Sequence, residues 1–320
     1  MTAREGGAEG REGAGTVDEA LASLARAALD EDLGPAGVAG GDLTSLWTVP
    51  EDHESRGEVV AKEPLVLSGV GAFTAVVAAV DPRVSVILHR ADGDALEAGE
   101  VALELAGPTR SILAAERTAL NFLGRLSGVA TLTARFVSAV QGTGARIVDT
   151  RKTTPGWRLL QKAAVRHGGG TNHRLGLWDM VLVKDNHIDA CGGVAEAAQA
   201  AVEARAAGIE QARGVEGSSP SAEDRVEIEV EVRDLEELEA LLTVGVDRIL
   251  LDNMSLADME AAVVRVAGLD PAARPLLEAS GNVTLETVGQ VAATGVDLVS
   301  VGALTHSAPV ADLSLLLRAS

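Results

Sequence analysis

RIVDTRKTTPGWRLLQKAAVRHGGGTNHRLGLWDMVLVKDNHI, residues 146–188, carries eight Lys or Arg (Arg146, Arg151, Lys152, Arg158, Lys162, Arg166, Arg174, Lys184) and three acidic residues (Asp149, Asp179, Asp185). A local charge of +5 therefore sits in a chain of net charge −20, whose other residues hold 19 basic against 44 acidic groups. So concentrated a cationic island calls for an anionic partner. The stretch also reads as strand, Gly-rich loop, strand, which predicts that its charges lie at one rim of a sheet or barrel.

Downstream, short β-rich runs alternate with Ala-rich helical ones. Strands are predicted at 146–149, 180–184, 226–232, 248–251, 275–278 and 297–301, and helices at 194–207, 235–244, 256–266 and 285–293. Repeated βα units imply parallel strands joined by right-handed crossovers. Six strands at this spacing predict an incomplete (β/α) barrel in an α/β protein. Residues 210–224 (EQARGVEGSSPSAED) read as a polar, flexible surface loop. Upstream, the periodicity predicts helices at 17–33 and 70–80, a loop at 34–42, and strands at 58–67, 84–90 and 100–106. This portion is a small α/β unit with antiparallel strands. Residues 109–141 form a long helical region, expected to break into two helices at Gly124 and Ser127-Gly128. Within it, Arg117 reads on the residues alone as a solvated helix charge.

The bulk numbers agree with two domains. The chain has 320 residues, beyond the roughly 250–300 at which one core usually stops growing. Its acidic balance argues against general nucleic-acid or anionic-membrane binding. No Tyr is present and aromatics are 2%, so there is no stacking platform for single-stranded bases. One cysteine, Cys191, fits a reducing cytoplasm and, preceding Gly192-Gly193, reads as a small loop residue. Residues 1–16 lack an apolar core and read as a disordered tail rather than a signal peptide. No window approaches the ~18 apolar residues of a transmembrane helix.

Barrel enzymes build their sites at the C-terminal strand ends. Here those ends give Asp149-Thr150-Arg151-Lys152, then Lys184-Asp185-Asn186-His187, then Glu229 and Glu231 on one face, then Asp252-Asn253, Glu278-Ala279-Ser280-Gly281, and Gly302. Arg151, Lys152, His173, Arg174 and Lys184 suit carboxylates or phosphate, Arg by bidentate pairing and Lys as a point charge. Glu229, Glu231 and Asp252 suit a hydroxyl-rich or Mg²⁺-associated group, the alternative, chiefly for Glu229, being one structural salt bridge. The spacing of His173 and His187 is not a zinc pattern. Lys184, in VLVK, could pair with substrate charge or serve as a Schiff-base nucleophile. SGNVT (280–284) and VSVGALTHS (299–307) each precede a helix, whose N–H groups favour phosphate.

DTRKTTPGWR, AVRHGGGTNHRLGLWDMVLVKDNHI, EVEV…LLDN, SGN and SVGALTHSA resemble the quinolinate phosphoribosyltransferase family (nicotinate-nucleotide pyrophosphorylase, carboxylating). EDLGPAGVAGGDLTS and GPTRSILAAERTALNFLGRLSGVAT extend the match over about residues 17–315. The resemblance implies a smaller N-terminal α/β sandwich domain at 17–118, joined by 304–320, and an incomplete barrel at 119–303. It implies a cytoplasmic homodimer, or higher even oligomer, with shared sites. The implied reaction converts quinolinate and phosphoribosyl pyrophosphate into nicotinate mononucleotide, CO₂ and pyrophosphate with Mg²⁺, in NAD biosynthesis. By the same resemblance Arg151, His173, Arg174 and Lys184 grip the quinolinate carboxylates, with Thr150 beside them, and Arg117 reaches the neighbouring subunit's site. Lys152 meets pyrophosphate oxygens. Glu231 and Asp252 hold the ribose hydroxyls and Mg²⁺, and Ser280, Gly281 and Gly302 seat the 5′-phosphate. Asn282 departs from the family pattern, which usually has a second Gly there.

Overall fold

A computed structural model describes residues 17–208 and 225–319. The expected tail at 1–16 and the whole 210–224 loop lie outside the described residues. The chain divides into two compact units. One runs up to Ser127 and takes in Val310 onward; the other is Gly128–Pro309.

The first unit contains helices α1 (Val17–Leu33), α2 (Gly37–Gly40), α3 (Leu43–Thr48) and α4 (Val70–Val80), and begins α5 (Thr109–Ala139). Its strands are β1 (Glu54–Ala61), β2 (Leu65–Val66), β3 (Ser85–Leu88), β4 (Ala95–Leu96), β5 (Val101–Pro108) and, from the C-terminal end, β12 (Leu313–Ala319). An antiparallel sheet runs β12-β1-β5-β3, with β2 and β4 paired separately. The Ala/Val-rich α4 buries Phe73, Val76 and Val77, and α1 packs against it. Residues 34–42 are not all loop: a 3-10 turn at Gly34–Ala36 leads directly into α2.

The expected break in α5 does not occur, and its 31 residues form one helix. Glycine within a helix costs only about 1 kcal/mol, and here it meets a packing need. A Cβ on Gly124 would lie 2.9 Å from the Ala311 carbonyl oxygen. Ser127 turns its hydroxyl to Ser68, accepting from the backbone N–H at 3.0 Å and donating to the carbonyl at 3.1 Å. Both supposed breakers are thus points of close approach within this unit.

The second unit is the six-stranded parallel barrel. Its strands are β6 (Arg146–Val148), β7 (Val181–Val183), β8 (Ile228–Val232), β9 (Arg248–Asp252), β10 (Leu276–Ser280) and β11 (Leu298–Ser300), in the order β6-β11-β10-β9-β8-β7. Helices α6 (Arg158–His167), α7 (Asp185–Cys191), α8 (Val194–Ala206), α9 (Leu235–Leu241), α10 (Leu256–Ala267), α11 (Val288–Ala293) and α12 (Ala303–His306) connect them. Two of these correct the sequence reading. Helix α6 occupies what reads as a Gly-rich loop, because its buried face includes Gln161 and Lys162 beside Leu160, Ala164 and Val165. Two polar residues on the inner face hide the amphipathic period. Cys191 ends α7 and is exposed, rather than lying in a loop.

The sheet is open between β6 and β7, and residues 171–174 bridge the gap. Thr171 forms a parallel bridge with Val148, and Arg174 Nη1 donates to the Met180 carbonyl at 3.2 Å, beside β7. The preceding glycines make this path possible. A Cβ on Gly168 would lie 2.3 Å from the Ala130 carbonyl, so only glycine lets the chain pass so close to α5.

Candidate active site

The parallel register puts all six C-terminal strand ends on one rim. Glu231 lies opposite Leu250, and Ser280 opposite Asp252. Side chains two residues apart share a face, so Glu229, Glu231, Asp252, Glu278 and Ser280 all face the same side of the sheet. Ile228, Val230, Val232, Ile249 and Leu251 fill the other side and are buried.

The cationic side rests on a buried ion pair. Lys162 Nζ donates to Asp149 Oδ1 at 2.5 Å, and neither side chain has exposed area. The same ammonium donates to the His173 carbonyl at 2.8 Å. Asp149 also accepts the His173 N–H at 2.9 Å and the Asn172 amide at 2.6 Å. Burial pushes the Asp149 carboxyl up and the Lys162 amine down, against their mutual attraction. This network clamps residues 172–174 to β6 and α6. Asp179 holds the next turn by accepting the Leu175 and Gly176 N–H groups.

The clamp presents Arg174 to Arg151. Burial and the like charge of Arg151 hold the Arg174 guanidinium below its usual range. Arg151 is half-buried, and its Nε has no hydrogen-bond partner. Two guanidiniums that repel each other at a rim, one with an unused buried donor, form a ready receptor for a carboxylate. Thr150 Oγ1 accepts the Lys152 N–H at 3.0 Å and so shapes the turn displaying Arg151 and Lys152. The Thr305 hydroxyl donates to the Lys152 carbonyl at 2.9 Å.

Cations and carboxylates meet where Lys184 Nζ donates to Glu231 Oε2 at 2.7 Å. Lys184 is 45% exposed, in the setting of an ion pair rather than the apolar pocket of a Schiff-base lysine. Asp252 accepts the Asn253 amide at 3.0 Å. Glu231 and Asp252 offer carboxylate oxygens from neighbouring strands on one face. Such an all-oxygen donor set matches Mg²⁺.

Below them lies a cluster that the sequence reading did not assemble. His173 Nε2 donates to Glu229 Oε2 at 2.8 Å and lies 3.5 Å from Glu278 Oε2, all three residues being buried. His173 Nδ1 accepts the Arg174 N–H at 2.8 Å. That places the ring proton on Nε2 and leaves neither nitrogen free for a metal. Burial and Glu278 push Glu229 up to about 7. The two carboxylates act against burial to raise His173 as well, but its Nδ1 accepts the Arg174 N–H and so cannot also carry a proton. Glu229 Oε1 and both Glu278 oxygens have no hydrogen-bond partner. Glu278 was legible as a carboxylate within an apolar run, LLEAS; its meeting with His173 was not.

The two loops expected to seat phosphate differ from expectation in one respect. Helix α11 begins at Val288 rather than 285, six residues beyond Asn282, and α12 is a single turn. The dipole of α11 therefore contributes little at Gly281. Gly302 is tightly placed, since a Cβ there would lie 3.1 Å from Lys152 Cδ. Arg117 is exposed on α5 in the other compact unit.

Comparison with known proteins follows this division. A family model described as "Quinolinate phosphoribosyl transferase, C-terminal domain" matches residues 129–316, and its N-terminal counterpart matches 42–127. A Mycobacterium leprae protein named nicotinate-nucleotide pyrophosphorylase [carboxylating] is 42% identical over 300 residues, covering 93% of this chain and 97% of that protein. A Bacillus subtilis protein named as a probable member of the same activity is 40% identical over 285 residues, covering 89% of each. A solved Francisella tularensis nicotinate-nucleotide pyrophosphorylase superposes with a TM-score of 0.83 at 35% identity, covering 94% of this chain and 97% of that one.

Proposed function

Since the chain belongs to the quinolinate phosphoribosyltransferase family, we propose that it transfers the phosphoribosyl group of phosphoribosyl pyrophosphate to quinolinate with decarboxylation. The products are nicotinate mononucleotide, CO₂ and pyrophosphate, a step of NAD biosynthesis. The observation that carries this reading is the rim itself: Arg174, held by its neighbours' hydrogen bonds beside the like charge of Arg151, on one side, and Glu231 and Asp252 on the other.

Arg151, Arg174 and Lys184 supply the charge that receives the two carboxylates of quinolinate. His173 anchors that grip by accepting the Arg174 N–H. Ser280, Gly281 and Gly302 seat the 5′-phosphate, and Lys152 faces the pyrophosphate. As pyrophosphate leaves, positive charge builds at the ribose C1, where the Glu231 and Asp252 carboxylates stabilise it. The quinolinate nitrogen bonds to C1 and becomes cationic. It then draws in the electron pair released as the 2-carboxylate departs as CO₂, and a proton takes the vacated ring position. No protein nucleophile is required. Glu231 and Asp252 would hold Mg²⁺, directly or through water, which when bound neutralises pyrophosphate charge.

Arg117 completes the site of a neighbouring subunit in a homodimer or higher even oligomer. Exposed Leu177 (72%) and Trp178 (58%) on the barrel unit support an interface there. The single, exposed Cys191 supports a reducing compartment such as the cytoplasm.

A panel of pyridine acids tests the substrate. Quinolinate is expected to be turned over with phosphoribosyl pyrophosphate, and nicotinate, which lacks the 2-carboxylate, much more slowly. Preference for nicotinate would overturn the assignment.

A further inference from the structure

Asn253 (φ 53°) and Asn282 (φ 49°) are the two non-glycine residues with positive φ among the described residues. Left-handed backbone costs an L-residue roughly 1–2 kcal/mol, with Asn among the most tolerant. Both stand at the rim, directly after β9 and in the turn after β10. Their side chains touch: Asn282 Nδ2 donates to Asn253 Oδ1 at 3.2 Å, and Asn253 Nδ2 donates to Asp252 Oδ2 at 3.0 Å. The Asn253 N–H also donates to the Ser280 carbonyl at 2.9 Å.

The polarity of this chain is fixed by chemistry. An ionised carboxylate only accepts, so the Asn253 amide must turn its NH₂ to Asp252. Its oxygen then faces Asn282, which must donate in turn. Gly281 leaves the space this needs, because a Cβ there would lie 2.2 Å from Asn253 Oδ1. Three neighbouring residues therefore serve one connection.

We infer that Asn253 and Asn282 are positioning residues: an amide relay through which the turn that seats the 5′-phosphate orients the Asp252 carboxylate. The inference rests on the function proposed above and extends it to two residues that this function leaves without a role. Seating the phosphate on Ser280 and Gly281 and aiming Asp252 at the ribose become one event. Asn282 thus contributes a donor that a glycine at this position lacks.

Asn282→Gly and Asn253→Gly test the relay, since glycine adopts both backbone conformations without strain. Steady-state kinetics with quinolinate and phosphoribosyl pyrophosphate, alongside thermal unfolding, supply the readouts. Asn282→Gly is expected to lower kcat/KM for phosphoribosyl pyrophosphate about tenfold. Asn253→Gly should lower it by up to about 100-fold, the scale of a small misplacement of a reacting group. KM for quinolinate and the melting temperature should stay near those of the parent. The double variant should be no worse than Asn253→Gly, because the relay passes through Asn253. Parent-like kcat/KM in Asn282→Gly, or additive losses in the double variant, would overturn the relay alone. A parent chain that forms no nicotinate mononucleotide would overturn the functional reading and the relay's role with it.

Discussion

Lys162→Ala is expected to destabilise the protein by about 3–5 kcal/mol, the cost of breaking a buried pair by removing one partner. Asp149 would remain fully buried, with only the His173 N–H and the Asn172 amide to compensate its charge. The His173 carbonyl would also lose its donor. Lys162→Met with Asp149→Leu should recover only part of this stability, because apolar residues replace the charges at little cost but leave the His173 N–H and carbonyl without their partners. It should not recover quinolinate binding, because the His173 N–H and Asn172 amide that hold Arg174 opposite Arg151 would have lost their acceptor. Chemical denaturation and calorimetric titration with quinolinate separate the two effects. A loss below about 1 kcal/mol in Lys162→Ala, the scale of a surface pair, would show that the clamp is not what holds the cationic side.

Glu231→Gln is expected to lower kcat by about 10²–10³-fold, the usual effect of removing one group aimed at transition-state charge. Stability should change little, and quinolinate should bind as well or better, because Lys184 is released from its carboxylate. Arg117→Ala should be similarly inactive without unfolding. Mixing the two variants with subunit exchange then tests whether sites are shared. In a dimer with composite sites, a mixed pair pools both defects in one site and leaves the other intact, so random exchange restores about a quarter of parental activity. No recovery after demonstrated exchange would place Arg117 outside the shared site.

Strand ends could be read from the sequence because the period-two pattern and the βα rhythm are local properties. Thr150, Arg151, Lys152, Lys184, Glu231, Asp252, Ser280, Gly281 and Gly302 all fall at or just beyond the C-terminal ends of barrel strands. Long-range pairing was not legible. Lys162 reads only as one of the island's eight cations, yet it is the buried partner of Asp149, thirteen residues earlier. Glu229 and Glu278 share a face of the sheet, but only the bridging segment brings His173 to both. The unbroken α5 shows the opposite failure. A glycine and a serine that signal a break locally are placed there by contacts with Ala311 and Ser68. Local propensity yields where tertiary packing needs a small residue.

The most direct measurement follows the carboxylate that the reaction removes. Quinolinate labelled with ¹³C in its 2-carboxylate is incubated with the protein, phosphoribosyl pyrophosphate and Mg²⁺, and both products are read by mass spectrometry. The proposed function predicts labelled CO₂ and unlabelled nicotinate mononucleotide in equal amounts, each dependent on phosphoribosyl pyrophosphate. Label retained in a nucleotide product, or CO₂ released without phosphoribosyl pyrophosphate, would contradict it.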